Sequence, residues 1–117
     1  SIQEEIEKGI GAHGLWKQRL VDAIETGESD WAPEDVCRDD KCAFGQWLYS
    51  CSPTDKSSPF YEDVRTLHAK FHKKACGILK MALEGHKQEA ESEMVIGSEY
   101  RKISSTLTLK LIEWKDT

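Results

Sequence analysis

The apolar residues near the start of the chain recur at helical spacing and define one face of a helix. His13 lies on the same face, and Gly27 stands where a helix C-cap is expected. We therefore predict one helix from Ile2 to about Glu25. Its apolar stripe comprises Ile6, Ile10, Leu20 and Ile24.

The next stretch is polar and rich in turn-forming residues. Residues 28–40 predict a loop with at most one short turn. A short helix is expected from about Lys41 to Cys51, with Asp39 or Asp40 as its N-cap. The Ser52–Pro53 dipeptide should end it, because proline cannot continue a helix.

A long amphipathic helix is predicted next. Ser58 is suited to be its N-cap, Pro59 its first residue and Gly85 its stop. The apolar stripe of this helix comprises Val64, Leu67, Phe71, Ala75, Ile78 and Ala82.

The last segment, from about His86 to Trp114, repeats the helical pattern, with Gly97 as a point of interruption. Its stripe comprises Ile96, Tyr100, Ile103, Leu107, Leu111 and Trp114. No stretch alternates as a half-buried strand does, and no hairpin dipeptide occurs. The pattern predicts an all-α fold, an antiparallel four-helix bundle with a short additional helix that carries Cys42.

Composition and charge narrow the class of protein. A chain of 117 residues, 38% hydrophobic and 32% charged, is expected to form one globular domain over residues 1–117. The net charge of −5 and the lack of a Lys/Arg block argue against nucleic acid or an anionic membrane as a partner. No apolar run approaches the roughly 20 residues that span a bilayer, so direct membrane contact is not expected.

The four cysteines could belong to two disulfides of a secreted protein. Their setting in segments rich in Lys and Glu favours a reducing compartment instead, and we expect a cytoplasmic domain. Cys37 could pair with Cys42 under oxidation, but a spectator thiol is favoured. Cys76 could approach the site from the face of His72, but packing as a small apolar residue is favoured. No role is predicted for Cys51.

Three histidines and one cysteine suggest a metal site. His68 and His72 lie one helical turn apart, a spacing from which both can reach one ion, although such a pair alone is a weak signal. His13 falls on an inward stripe, where an unpaired imidazole is costly to bury. Cys42 opens the short helix, where the helix dipole favours a thiolate. Such a filled tetrahedral shell suits Zn²⁺ and leaves no open position, so no enzymatic activity of the domain itself is expected.

The residues around these four positions resemble a known family. Three motifs carry the likeness: His13 with Trp16 and Lys17, the run Cys42-Ala-Phe-Gly-Gln-Trp-Leu-Tyr49, and the run Leu67-His-Ala-Lys-Phe-His72. They are similar to the signatures of the chemoreceptor zinc-binding domain family, with Phe44 in place of the usual leucine.

The resemblance implies a zinc-binding regulatory four-helix bundle, often homodimeric, attached to a bacterial chemotaxis receptor or a diguanylate cyclase. It also implies that the zinc ligands are His13, Cys42, His68 and His72.

The neighbours of Cys42 predict how the site is built. Gly45 would allow close approach of another segment, and three apolar residues would exclude water. These are Phe44, Trp47 and Leu48. Candidates for orienting the histidines are Asp39, Asp40 and Tyr49. A homodimer is expected if apolar side chains remain exposed, in particular those of Trp31, Leu83, Ile112 and Trp114.

Three functions are compatible with such a site. In the first, zinc occupancy ties the helices together and controls an attached output domain. In the second, an oxidant such as hypochlorous acid expels Cys42 from the zinc shell. In the third, the zinc is purely structural in a dimerisation module.

Overall fold

The computed structural model describes residues 1–117, whose regular structure consists of eight helices and no strand. The predicted all-α fold is confirmed. In chain order the helices are α1 (Ile2–Gly14), α2 (Trp16–Thr26), α3 (Pro33–Val36), α4 (Ala43–Ser50), α5 (Pro53–Lys56), α6 (Tyr61–Leu83), α7 (Lys87–Ser92) and α8 (Glu99–Lys115).

The four longest helices, α1, α2, α6 and α8, form an elongated bundle, and the whole chain measures 45 × 26 × 19 Å. Helix α6 packs against α8 and α2, while α1 packs against α8 and α4. The short helix α3 lies on α6. The helical bundle agrees with the sequence pattern, and its antiparallel four-helix arrangement stays a prediction.

Apolar side chains from these helices form one contiguous core. A single cluster of 21 buried residues includes Ile6 from α1, Leu20 from α2, Phe71 from α6 and Leu107 from α8. These are positions of the predicted stripes, so helical periodicity identified the inward faces. No helix combines the length and the apolar character needed to cross a membrane.

The first predicted helix is interrupted. It stops at Gly14 and resumes at Trp16, so that α1 and α2 replace the single helix expected from Ile2 to Glu25. Gly11 and Gly14 both fall in the turn before the break, and glycine is the weakest helix former after proline. Gly27 ends α2 in the left-handed conformation, with φ of 72°, as predicted.

The start of the long helix also differs from the prediction. Ser58 does not cap it; its hydroxyl accepts a hydrogen bond from the Phe60 amide at 3.2 Å, and α6 begins at Tyr61. The Ser52–Pro53 pair, six residues earlier, does begin a helix: Ser52 caps α5, and Pro53 is the first residue of that helix.

One stripe prediction in the last segment was wrong. Ile96 is 87% exposed, because it lies in the connection between α7 and α8, next to Gly97, whose φ is 89°, rather than in a helix. Trp114 is buried, as its place on the stripe predicted: it is 4% exposed and packs beside Trp47 and Tyr61, so the exposed surface considered for it in a dimer is absent.

The contact between α1 and α4 generates a prediction about Gly9. A Cβ at this position would lie 2.9 Å or less from ring atoms of Phe44, whereas a Cβ at Gly11 on the same helix would meet nothing within 4 Å. We expect Gly9→Ala to lower the free energy of unfolding by about 1–3 kcal/mol. Gly11→Ala should raise it by up to about 1 kcal/mol through helix propensity. Urea denaturation of both variants measures the difference, and equal stability would contradict the packing described here.

Candidate metal centre

Helix α1 presents His13 to the core from its last turn. The side chain is 7% exposed, and its Nδ1 lies 2.7 Å from the main-chain carbonyl oxygen of Gly9, one turn earlier. Because a carbonyl oxygen only accepts, Nδ1 carries the proton and donates it. The other ring nitrogen, Nε2, therefore directs a lone pair into the core.

Helix α6 supplies two further imidazoles from one face. His72 donates from Nδ1 to the carbonyl oxygen of Val36 at 2.9 Å, so its Nε2 also holds a lone pair. His68 is fully buried, and its Nδ1 has no hydrogen-bond partner. The nearest acid is Asp39, whose Oδ2 lies 4.0 Å from that nitrogen and favours a proton there.

Helix α4 positions the thiol. Cys42 is itself the N-cap, in place of the predicted Asp39 or Asp40, and its Sγ accepts a hydrogen bond from the Gly45 amide at 3.2 Å. The residue has the extended conformation of a cap, with φ of −84° and ψ of 152°. This capping position places the sulfur at the N-terminus of α4, facing the imidazoles.

The donor atoms of these four residues converge on one point. The Nε2 atoms of His13, His68 and His72 are separated by 2.9, 3.1 and 3.3 Å. Sγ of Cys42 lies 3.2 Å from Nε2 of His68 and 3.9 Å from Nε2 of His13. All four donor atoms lie within 4.8 Å of one another. A tetrahedral zinc ion would separate nitrogen ligands by about 3.3 Å and a nitrogen from a sulfur by about 3.6 Å, close to these distances.

The chemistry of the three rings suits a bound cation. His13 and His72 hold their protons on Nδ1, so both direct Nε2 lone pairs to the centre, and the Nε2 atoms of all three rings lie within 3.3 Å of one another. Burial lowers the pKa of His13 to about 4 and that of His68 to about 2, and burial also lowers the pKa of His72. The rings therefore stay neutral near pH 7, the form in which an imidazole binds a metal ion.

The thiol behaves differently from the sequence-based expectation. Burial raises the pKa of Cys42 and outweighs the opposing effect of the Gly45 and Phe44 amides at the start of α4. The helix terminus alone therefore does not provide a thiolate. A bound metal ion does, because it deprotonates a coordinating thiol. The donor set, three neutral imidazoles and one thiol, fits Zn²⁺.

Of the three apolar residues predicted to exclude water, Phe44 lies against the ligands. Its buried ring lies 5.7 Å from that of His13 and 5.1 Å from that of His68. Trp47 packs on Phe44 at 5.5 Å, and Leu48 is buried in the core. Phe71 completes the wall at 5.1 Å from His13, a role that its place on an apolar stripe did not reveal.

Gly45 allows the close approach that was predicted for it. A Cβ there would collide with the main-chain carbonyl of Asp39 and lie 3.1 Å from Cε1 of His68. Any larger residue would push the thiol-bearing segment away from α6.

Of the three residues expected to orient the histidines, only Asp39 lies beside one of them. It lies next to His68 and accepts a hydrogen bond from the hydroxyl of Tyr49, which is itself 38% exposed. Asp40 instead pairs with Arg38 at the surface, at 2.8 Å. The main-chain carbonyls that accept hydrogen bonds from His13 and His72 could not be predicted from the sequence, because every residue type carries such a carbonyl.

A cavity of about 590 Å³ adjoins the donor atoms. His13, Cys42 and His72 form part of its lining, and Trp16 and Trp31 pack edge to face at 5.3 Å in another part. Small molecules and ions can therefore approach the half-buried thiol from this side.

The remaining cysteines were partly misjudged. Cys37, expected to be a spectator thiol, and Cys76, expected to pack as a small apolar residue, are joined by a disulfide, and their Cα atoms are 4.9 Å apart. The sequence separation of 39 residues gave no hint of this pairing; the docking of α3 on α6 produces it. Cys51 is free, and Cys37 does not pair with Cys42.

The fold and the site define a helical metal-binding domain. The family model described as the chemoreceptor zinc-binding domain matches residues 13–79, more than half of the chain. The chain belongs to this family and is a zinc-binding domain. Searches among curated proteins and solved structures give no significant match.

The acids near the site generate a prediction with a built-in control. Asp39→Asn removes the charge that favours a proton on Nδ1 of His68, so the ring loses its preferred tautomer. We expect zinc affinity to fall roughly 10- to 100-fold. Asp40→Asn changes the neighbouring acid, which faces Arg38, and should leave zinc affinity unaltered. Chelator competition measures both, and equal effects of the two variants would contradict an orienting role of Asp39.

Proposed function

We propose that this domain is a zinc-responsive regulatory module. One Zn²⁺ is held by His13, Cys42, His68 and His72, and its occupancy controls an attached signalling domain. The observation that carries this proposal is the convergence of the Nε2 atoms of three buried imidazoles on one point, next to a thiol.

The positions of the ligands explain how occupancy would reach the rest of the bundle. His13 lies on α1, Cys42 caps α4, and the other two histidines lie on α6. Helix α8 packs against both α1 and α6, although it carries no ligand. Loss of zinc would remove the link among α1, α4 and α6, and α8 would respond through its contacts with α1 and α6. An output domain connected near this helix would sense the change.

Membership of the family supports a proposal about the protein to which the module belongs. We propose that residues 1–117 form one cytoplasmic domain, attached to a chemotaxis receptor or a diguanylate cyclase. The domain is not itself an enzyme, since three imidazoles and one thiolate fill a tetrahedral shell and leave no position for substrate or activated water. Any catalytic step belongs to the attached domain.

A homodimer is part of the proposal. Leu109 and Ile112 on α8 are 56% and 38% exposed, and Trp31 is 45% exposed. Apolar surface of this kind supports self-association through α8. The buried Trp114 contributes nothing to that surface.

A second candidate function is sensing of an oxidant through Cys42. It is favoured by the accessibility of this residue: Cys42 is half-buried beside the cavity, whereas the three histidines are buried. Oxidation of the thiolate to a sulfenic acid would remove an anionic donor and release the metal. Adding hypochlorous acid at fixed zinc, to the parent and to Cys42→Ala, distinguishes this function from zinc sensing.

The ligand assignment predicts one zinc per chain. Substituting His68→Ala or Cys42→Ala should abolish stoichiometric zinc binding under mild chelation, because each removes one of four donors. The matched controls are His86→Ala, which changes the histidine outside the cluster, and Cys51→Ala, which changes the free cysteine. Both controls should retain one zinc per chain by elemental analysis. Zinc retained after loss of either proposed ligand would refute the assignment.

Control of output is tested in the full-length protein. We expect the activity of the attached domain to change as free zinc is titrated across the dissociation constant of the site, and His68→Ala to be locked in the zinc-free activity. Output should change because zinc stabilises the zinc-bound conformation of the bundle relative to the zinc-free conformation. A purely structural zinc would instead leave output constant until the domain unfolds, and that result would overturn the regulatory proposal.

A further inference from the structure

The disulfide lies next to the metal centre and joins the two segments that supply most of its donors. Cys37 is the C-cap of α3, five residues before Cys42 in the chain. Cys76 lies on α6, one helical turn after His72. The bridge therefore fastens the segment that leads into α4 to the helix that carries two histidines.

The segment that the disulfide fastens also orients a histidine. Val36, the residue before Cys37, is 4% exposed, and its carbonyl oxygen accepts the hydrogen bond from Nδ1 of His72 at 2.9 Å. Asp39, beside His68, lies two residues after Cys37. Movement of Cys37 away from α6 would therefore displace a main-chain acceptor, an orienting acid and the thiol of Cys42 together.

We propose that Cys37 and Cys76 form a redox modification site that tunes the affinity of the zinc centre. Its oxidant is a low-molecular-weight disulfide of the glutathione class, and its oxidised state binds zinc more tightly. The inference rests on the proposed zinc site and adds a second input to it.

The chemistry is thiol–disulfide exchange. The half-buried Cys37 is the accessible member of the pair and attacks a sulfur of the small disulfide as its thiolate. One small thiolate leaves, and a mixed disulfide forms at Cys37. Cys76, which is 7% exposed, then attacks the sulfur of Cys37 and expels the second small thiolate. The two cysteines lose two electrons and two protons, and the small disulfide is reduced to two thiols.

Preorganisation explains the direction of the effect. Cys42 and His68 are 26 residues apart along the chain, so closing the zinc shell in the reduced protein closes a long loop. With the Cys37–Cys76 crosslink in place, a second path joins Cys42 to His68 through the disulfide, and this path is roughly half as long as the direct one along the chain. Loop-closure entropy then favours zinc binding by the oxidised protein on the order of threefold.

The sign of this effect separates it from oxidation of the zinc ligand. Oxidation of Cys42 removes a donor and weakens binding, whereas the Cys37–Cys76 bridge leaves all four donors in place and strengthens it. Opposite responses to a mild disulfide and to a strong oxidant would therefore come from different sulfur atoms of the same chain.

The experiment compares zinc affinity in the two redox states of the parent chain. Zinc-loaded protein is fully reduced, one half is treated with glutathione disulfide, and both halves are freed of reagent without air. Peptide mapping identifies the bonded cysteines, and chelator competition gives the dissociation constants. We expect the Cys37–Cys76 bridge in the treated half and zinc binding about threefold tighter.

Variants assign the response. In Cys37→Ser and in Cys76→Ser, treatment should leave zinc affinity unchanged, whereas the matched control Cys51→Ser should respond as the parent does. Circular dichroism checks that each variant is helical, and the comparison within the parent stands even if one variant fails to fold. Equal affinity in both states, weaker binding after treatment, or a bridge that includes Cys42 would overturn the inference. Absence of zinc from both states would instead overturn the proposed function.

Discussion

Convergence of three neutral imidazoles on one buried point is the constraint on which the structure of the site depends. His13, His68 and His72 approach one another through Nε2 at about 3 Å, inside a core that excludes water and lowers their pKa values. Protonation cannot relieve this arrangement near neutral pH, because burial opposes the charge. A metal ion bound by the three nitrogens would also provide the charge that ionises the thiol of Cys42. The metal and the packing of the helices are therefore energetically linked.

The bundle converts this local constraint into a long-range one. The candidate donors come from the end of α1, the cap of α4 and the middle of α6, so a bound ion would crosslink segments that lie far apart in the sequence. Phe44 and Phe71 pack on the rings and connect the site to the apolar core. Because α8 packs on both histidine-bearing helices, a change in their separation would reach a helix that holds no candidate ligand. Such a division between binding and response is what a regulatory domain requires.

The sequence predicted the parts of this molecule that follow from periodicity and residue type. Inward positions such as Ile6, Leu20 and Leu107 were identified by their spacing, and the left-handed ends at Gly27 and Gly85 by glycine's tolerance of positive φ. The all-α fold, the zinc-binding class and the four-residue cluster followed from the motifs.

What the sequence failed to predict depends on main-chain geometry or on tertiary contact. The break at Leu15 and the start of α6 at Tyr61 reflect local competition between weak helix signals. The pairing of Cys37 with Cys76 requires the docking of α3 on α6, which no local pattern encodes. The burial of the Cys42 thiol likewise reversed an expectation that was based only on its place at a helix terminus.

The carbonyl groups of Gly9 and Val36 have a consequence for how the site can change over time. They fix the tautomer of two of the three rings, yet they belong to the polypeptide backbone and are present whatever side chains occupy those positions. Point mutation cannot delete these acceptors, and only a shift of the chain itself can remove them. Substitution of the side chain at either position therefore leaves in place the hydrogen bond that orients the ring. The vulnerable support is the carboxylate beside His68, where a single codon change is enough.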